Sequence, residues 1–139
     1  MYNERQNIMT SENNTEKATF GAGCYWGSER AFRAVAGVLD TAVGFMDGIE
    51  VVEVQYDPSV ISYDSLLETF WGSHDTTVGS GGERSAIFVD GEQQAEAAQA
   101  AKAGVSNGTK LQIKTEIMRM SRFKRAPERE QRYYEKQEE

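Results

Sequence analysis

The chain has 139 residues, of which 39% are hydrophobic and 27% charged, and its formal net charge at pH 7 is −7. These values predict one soluble domain with a single core, and they disfavour nucleic acid and anionic membranes as partners. We expect no membrane span and no secretory signal, because no apolar run is long enough and the N-terminus lacks a basic start followed by an apolar run. The chain holds one cysteine, which favours a reducing compartment, by default the cytoplasm.

The chain begins with a polar stretch, followed by a predicted strand and a predicted helix. Residues 1–16 are almost entirely polar and are predicted to be a flexible tail, so that residues 17–139 form the single domain. A β-prone segment predicts a strand at residues 18–22, and apolar residues spaced three and four apart predict a helix at 25–35. Cys24 therefore lies at the strand-to-helix turn, where backbone N–H groups and the helix dipole stabilise a thiolate. The alternative is that this lone cysteine is a small buried hydrophobe.

Six further elements are predicted along the chain. Alternating apolar residues and turn signals predict three strands, at residues 39–45, 50–56 and 111–117, and a segment that is apolar on both faces predicts a fourth, at residues 84–89. An amphipathic pattern predicts a helix at residues 63–74, and a capping box followed by an Ala-rich run predicts another at about 90–107. The charged stretch from Arg122 onward is predicted to be a solvated tail or a surface helix. The order β-α-β-β-α-β, followed by a further helix and strand, indicates an α+β, ferredoxin-like split βαβ sheet with helices packed on one face.

The strand predicted at residues 50–56 places a carboxyl group among apolar side chains. A period of two puts Glu50 on the same face as Val52 and Val54, whereas Glu53 points to the opposite face. Burial on an apolar face raises the pKa of a carboxyl and keeps a proton available near neutral pH. A solvent-facing Glu50 is the alternative, because the registers of strand ends slip easily.

Several segments carry a resemblance to a known family. Gly23-Cys24-Tyr25-Trp26-Gly27 resembles the Gly-Cys-Phe-Trp signature of the A-type methionine sulfoxide reductases, the peptide-methionine (S)-S-oxide reductases. Gly48-Ile49-Glu50-Val51-Val52, Arg84-Ser85-Ala86-Ile87-Phe88 and Tyr133-Tyr134-Glu135-Lys136 match the family in the same order, and the matches span about residues 18–136. The resemblance implies a thiol-dependent oxidoreductase for methionine-(S)-sulfoxide, peptide-bound or free, that repairs proteins under oxidative stress.

The resemblance also implies a role for each site residue. Cys24 would be the nucleophile and Glu50 the proton donor, while Tyr25 and Trp26 would form the apolar pocket for the S-methyl group. Reduction would leave a sulfenic acid on Cys24, and thioredoxin, glutaredoxin or a small thiol would reduce it directly because there is no second cysteine. We expect a monomer with no cofactor and no metal. His74, the only histidine, is predicted to be structural.

The chain also departs from the family pattern. Between Gly44 and Glu50 the family has a longer loop, which carries an oxygen-binding Tyr and often a recycling Cys. Glu83 stands where the family has a second oxygen-binding Tyr, and Glu130 where it has a His. Loss of one such preorganised donor can lower the rate on the order of a hundredfold. Two alternatives therefore stay open: a catalytically impaired relative acting as a binding or structural module, and a thiol redox sensor that forms mixed disulfides.

Overall fold

A six-stranded sheet in the order β5-β4-β1-β3-β2-β6 forms the centre of the molecule, which a computed structural model describes from residue 14 to residue 137. Its strands are β1 (Glu16–Gly21), β2 (Val38–Met46), β3 (Ile49–Tyr56), β4 (Ala86–Val89), β5 (Glu116–Arg119) and β6 (Lys124–Arg125). The helices of this part of the chain are α1 (Tyr25–Arg33), α2 (Tyr63–Gly72), α3 (Glu92–Asn107) and α4 (Tyr133–Gln137), with a 3-10 turn at Glu128–Glu130. The predicted α+β class is confirmed.

The first four strands have the predicted split βαβ arrangement. β1 lies between β3 and β4 and runs antiparallel to both. α1 connects β1 to β2, and β3 returns antiparallel between these two strands. β5 extends this unit parallel to β4, and β6 extends it antiparallel to β2 at the other edge. The result is the mixed, ferredoxin-like sheet that the order of elements indicates.

The helices pack on one face of the sheet, as predicted, and residues around β5 and β6 pack on the other. On the helical face, Phe20 of β1 stacks on Phe32 of α1 with 4.9 Å between ring centroids, and Phe70 of α2 lies beside Phe20 at 5.4 Å. A smaller buried cluster on the opposite face consists of Met46, Ile49, Val51, Ala86 and Phe88. Three apolar residues around β5 and β6 pack against that cluster: Met118, Met120 and Phe123. Side chains of β3 therefore alternate between the two clusters.

The strand predicted at residues 111–117 is wrong in position. β5 comprises Glu116–Arg119, and residues 111–115 before it have no regular structure, with Leu111 exposed. These residues alternate as in a strand, but a strand also needs a neighbour that offers its backbone N–H and C=O groups. β4 has only four residues, and its first residue, Ala86, lies opposite Glu116. The length of β4 therefore decides where β5 begins.

The two ends of the chain also differ from their predictions. Residues 1–13 of the predicted tail lie outside the described residues, and β1 already begins at Glu16, whose carboxylate accepts a hydrogen bond from the Tyr56 hydroxyl at 3.1 Å. The C-terminal stretch, predicted to be a solvated tail or surface helix, forms β6, the 3-10 turn and α4, and it buries Ala126 and Gln131. Within residues 14–137, no helix combines the length and the apolar character needed to cross a membrane.

Candidate active site

Cys24 lies at the N-terminus of α1, as the sequence predicts. Gly23 has a φ of +78°, which allows the chain to turn sharply from the end of β1 into the helix. Cys24 is the N-cap residue, is exposed, and its thiol makes no capping hydrogen bond. The N–H groups of a first helical turn have no intrahelical acceptors, and the helix dipole is positive at this end. The thiol therefore lies exposed at the positive end of the helix dipole.

Glu50 caps the same helix from β3. Its Oε1 accepts a hydrogen bond from the Tyr25 N–H at 3.1 Å, so the carboxyl supplies the cap that Cys24 does not. Opposite Glu50 in the sheet is Phe45, and the carboxyl lies on the helical face, where the strand alternation places it. Burial raises the pKa of Glu50. The Tyr25 hydrogen bond opposes that rise, and the charges of Glu83 and Glu130 add to it.

Three side chains from separate segments meet at this corner. Cys24 Sγ, a carboxyl oxygen of Glu50 and a carboxyl oxygen of Glu83 all lie within 4.8 Å of one another. The segment before Glu83 is fixed to the start of β3, because the Glu50 N–H donates to the Gly82 carbonyl at 2.7 Å. The structure thus brings the predicted nucleophile and the predicted acid together. The sequence identifies Glu83 only as a replaced tyrosine, since no periodic pattern places the preceding glycine-rich loop.

A groove of about 350 Å³ opens beside the thiol. Its lining consists of Ala22, Gly23, Cys24, Gly27, Ser28, Ser73, His74, Asp75, Val78 and Glu83. The lining is mostly small and polar, and its two glycines leave backbone accessible to an incoming ligand. The groove is therefore a place where a narrow group such as a sulfoxide side chain could reach Cys24.

His74 is held as a neutral, structural ring beside this groove. Its Nδ1 lies 2.9 Å from the Phe70 carbonyl, which can only accept, so Nδ1 carries the proton. Its Nε2 then accepts from the Ser85 hydroxyl at 2.7 Å, and Ser85 in turn bonds Thr115 at 2.7 Å. Burial lowers the pKa of His74 and keeps the ring neutral. Both ring nitrogens are occupied, which leaves neither available to bind a metal.

The two aromatics that follow Cys24 point away from the groove. The Tyr25 ring is buried edge-to-face against Phe45 at 5.6 Å, and its hydroxyl donates to Glu130 at 3.2 Å. Burial and the neighbouring Glu130 raise the pKa of Tyr25 to about 12. Trp26 stacks on Tyr133 of α4 with 3.9 Å between ring centroids. Neither ring lines the groove, so the methyl pocket assigned to Tyr25 and Trp26 stays a prediction.

The turn between β2 and β3 is as short as a hairpin allows. Met46 pairs directly with Ile49, and only Asp47 and Gly48 connect them. Both connecting residues have positive φ, 52° and 77°, which is the geometry of a type I′ turn. A two-residue turn has no room for the longer loop of the family that the sequence resembles. No residue from this hairpin can therefore supply the tyrosine hydroxyl of that loop.

Comparison with known proteins assigns a family. The family model described as "Peptide methionine sulfoxide reductase" matches residues 16–50 and 47–139, and the two matches meet in the β2–β3 hairpin. A protein of Nostoc sp. named "Peptide methionine sulfoxide reductase MsrA 1" is 46% identical over 94% of this chain and 96% of its own length. The solved structure "Methionine sulfoxide reductase A of Corynebacterium diphtheriae" is 32% identical, with a TM-score of 0.74 over 88% of this chain and 75% of that one. Mxr1 from Saccharomyces cerevisiae in complex with Trx2 is 26% identical, with a TM-score of 0.72 over 87% of this chain and 86% of that one.

Proposed function

The chain belongs to the peptide methionine sulfoxide reductase family, and we propose that it reduces methionine-(S)-sulfoxide with Cys24 as nucleophile and Glu50 as proton donor. One observation supports these roles above all others: Cys24 Sγ and a carboxyl oxygen of Glu50 lie within 4.8 Å, beside an open groove. A sulfoxide sulfur in contact with the thiol would place its oxygen within reach of that carboxyl. The exposed position of Cys24 at the positive end of the helix dipole supports its role as the attacking nucleophile.

The first step moves one oxygen atom between two sulfurs. The Cys24 thiolate attacks the sulfoxide sulfur while Glu50 protonates the sulfoxide oxygen, which would otherwise leave as oxide. The attack forms a bond between the two sulfurs. The S–O bond of the substrate then breaks and the hydroxyl bonds to Cys24 Sγ as the bond between the sulfurs breaks, so that thiolate, sulfoxide and one proton become sulfenic acid and thioether. The methionine sulfur gains two electrons and the Cys24 sulfur loses two. Glu50 recovers its proton from water.

The second step needs an external thiol, since the chain has no other cysteine. A thiol displaces water from the sulfenic acid and forms a mixed disulfide with Cys24, and a second thiol releases Cys24 as the thiolate and leaves as a disulfide. Thioredoxin is the reductant best supported, because the related Mxr1 forms a complex with Trx2. Glutaredoxin and small thiols are the alternative reductants. Cys24 is exposed, and a partner thiol could reach it.

The acid role of Glu50 predicts the direction of the pH dependence. A proton donor must be protonated, so the rate of the first step falls as the pH rises through the pKa of that donor. Burial raises the pKa of Glu50. The falling limb of the pH–rate profile, the range in which the rate drops, therefore lies at higher pH than for an exposed carboxyl. We further propose that the protein acts as a cytoplasmic monomer in protein repair under oxidative stress, without metal or cofactor.

Single-turnover assays on both sulfoxide epimers test the function. The reduced protein, with no other thiol present, is mixed separately with N-acetyl-methionine-(S)-sulfoxide and its (R)-epimer, and dimedone then traps any sulfenic acid for mass spectrometry. We expect one equivalent of thioether from the (S)-epimer, a dimedone adduct on Cys24 and no product from Cys24→Ser. Equal reduction of both epimers, or product without a modified Cys24, would contradict the proposal. No product at all would favour the impaired relative.

A further inference from the structure

We propose that Glu83 is a positioning residue: it forms a carboxyl pair with Glu50 that holds one proton at the site, and this proton resides on Glu50. The inference rests on the proposed function, because the proton it describes is the one delivered to the sulfoxide oxygen. It assigns a role to a residue that would otherwise count only as the loss of a tyrosine hydroxyl. The pair acts through Glu50, and Glu83 itself transfers no proton to the substrate.

The backbone holds the two carboxyl groups together. Their oxygens lie within 4.8 Å of each other and of Cys24 Sγ. The Glu50 N–H donates to the carbonyl of Gly82, the residue before Glu83, at 2.7 Å. The same turn directs the adjacent cation elsewhere, since the Arg84 guanidinium donates to the Gly81 carbonyl at 2.8 Å and to Glu116 at 3.3 Å. Glu83 therefore faces Glu50 while the basic group next to it in sequence is engaged by other acceptors.

The surroundings decide which member of the pair keeps the proton. Glu83 is exposed, and water stabilises its charge, whereas Glu50 is half-buried under α1. Burial penalises the charged form, so the proton prefers Glu50. The ionised Glu83 then repels a charge on Glu50 and raises its pKa further.

The other groups that face Glu50 do not neutralise this repulsion. From α1 come the Tyr25 N–H, which bonds Glu50, and the Cys24 thiol. From the C-terminal segment comes Glu130, whose charge adds to the repulsion and whose other contacts are Tyr25 and the exposed Arg129. Lys124 of β6 lies opposite Phe45, two strands from Glu50, which is about 10 Å at ordinary strand spacing.

The pH profile of single-turnover methionine release tests the pair. In Glu83→Gln we expect the falling limb to move to lower pH, with release at pH 8 reduced about fourfold or more, the least that Coulomb's law in water gives at this separation. Glu83→Asp keeps the charge and should restore a limb close to that of the wild type. Glu96→Gln, the same charge change at an exposed position of α3, should leave the profile unchanged. A Glu83→Gln limb that coincides with the wild-type limb would overturn the proposal.

A second measurement separates this proposal from the proposed function. Carbon-13 NMR of protein labelled at the glutamate carboxyl carbons follows the titration of Glu50 directly, with its resonance assigned by Glu50→Gln. We expect the Glu50 midpoint to fall in Glu83→Gln and to stay in Glu96→Gln, whether or not the protein turns over. An unmoved midpoint refutes the pair even in an active enzyme. A shifted midpoint in a protein that releases no methionine supports the pair and refutes the function.

Discussion

The N-terminus of α1 and its flank, the side where Trp26 and Glu29 contact the C-terminal segment, are held by different kinds of contact. At the N-terminus the Cys24 thiol is exposed and makes no capping bond, and Glu50 is linked to the helix by one hydrogen bond. On the flank Glu29 is only 1% exposed, and its two oxygens accept from the Thr41 hydroxyl and the Arg132 N–H, each at 2.7 Å. Polar groups at the N-terminus keep capacity for a substrate, whereas the Glu29 carboxylate on the flank finds its partners within the fold.

Gln131 extends the flank contacts to the edge of the sheet. This side chain, 2% exposed, accepts from the Val43 N–H at 2.8 Å and donates to the carbonyls of Val43 and Ala126 at 2.9 Å. Trp26 completes the flank by stacking on Tyr133. We therefore expect substitutions at the N-terminus to lower the rate with little loss of stability, and substitutions on the flank to lower stability with little loss of rate.

The largest expected effect is that of Cys24→Ser on the rate. Removal of a nucleophile from an enzyme typically lowers the rate about a thousandfold or more. Stability should change little, because the thiol is exposed and makes no capping bond. Methionine release and urea unfolding of the same samples measure both quantities. A clear loss of stability in Cys24→Ser would break the contrast between the two sides of the helix.

Glu50→Gln should have the next largest effect. Loss of a positioned general acid typically lowers the rate about a hundredfold to ten-thousandfold. The glutamine oxygen can still accept from the Tyr25 N–H, so the helix keeps its cap and the fold should persist. Single-turnover methionine release, with circular dichroism as a check on folding, measures the effect.

Glu53→Gln is the matched control on the same strand. Glu53 lies on the opposite face of β3, and its contact is a long ion pair of 3.8 Å with the exposed Lys17, which contributes little. Its release rate should equal that of the wild type. If Glu53→Gln were the damaging variant, or Glu50→Gln behaved as the wild type, the acid would not be Glu50.

The sequence predicts the N-terminus of α1 well because the signals for this turn are local. The glycines around Cys24 and the apolar spacing after it predict the strand-to-helix turn, and the period of two places Glu50 on the helical face. The same local signals leave the contact between Glu50 and Glu83 unpredicted. That contact depends on the path of the glycine-rich loop, which no periodicity describes.

The contacts of the flank could not be predicted because the partners are distant in sequence. Gln131 lies in a charged run that is typical of a solvated surface, yet its partner Val43 is 88 residues away. In the same way Glu29 binds the backbone of Arg132 across 103 residues. Local patterns report which face of an element is apolar, but they do not report which distant backbone group a polar side chain will satisfy.

Gln131→Ala should have the third largest effect, and this effect should fall on stability. The substitution leaves the buried N–H of Val43 without its partner and removes donors from two carbonyls, which should lower the free energy of unfolding by about 2–4 kcal/mol. Urea unfolding measures the change. Gln112→Ala, at an exposed position without regular structure, is the control and should change stability by less than about 0.5 kcal/mol. Methionine release from folded Gln131→Ala should stay near the wild-type rate, and a hundredfold loss would show that the flank takes part in the chemistry.

Tyr133→Ala should have the smallest effect, and it tests whether Trp26 belongs to the flank or to the active site. The resemblance assigns Trp26 to the pocket for the S-methyl group, but in the structure its ring lies parallel to Tyr133, 8° between planes, and does not line the groove. If the stack only fastens α4 to α1, the lost stacking should lower the free energy of unfolding by about 0.5–1.5 kcal/mol in addition to the lost burial of the ring, and KM should stay unchanged. Tyr133→Phe keeps the stacked ring and should match the wild type in both measurements. If Trp26 instead contacts substrate, freeing it in Tyr133→Ala should change KM for the (S)-sulfoxide, and that result would move Trp26 from the flank to the active site.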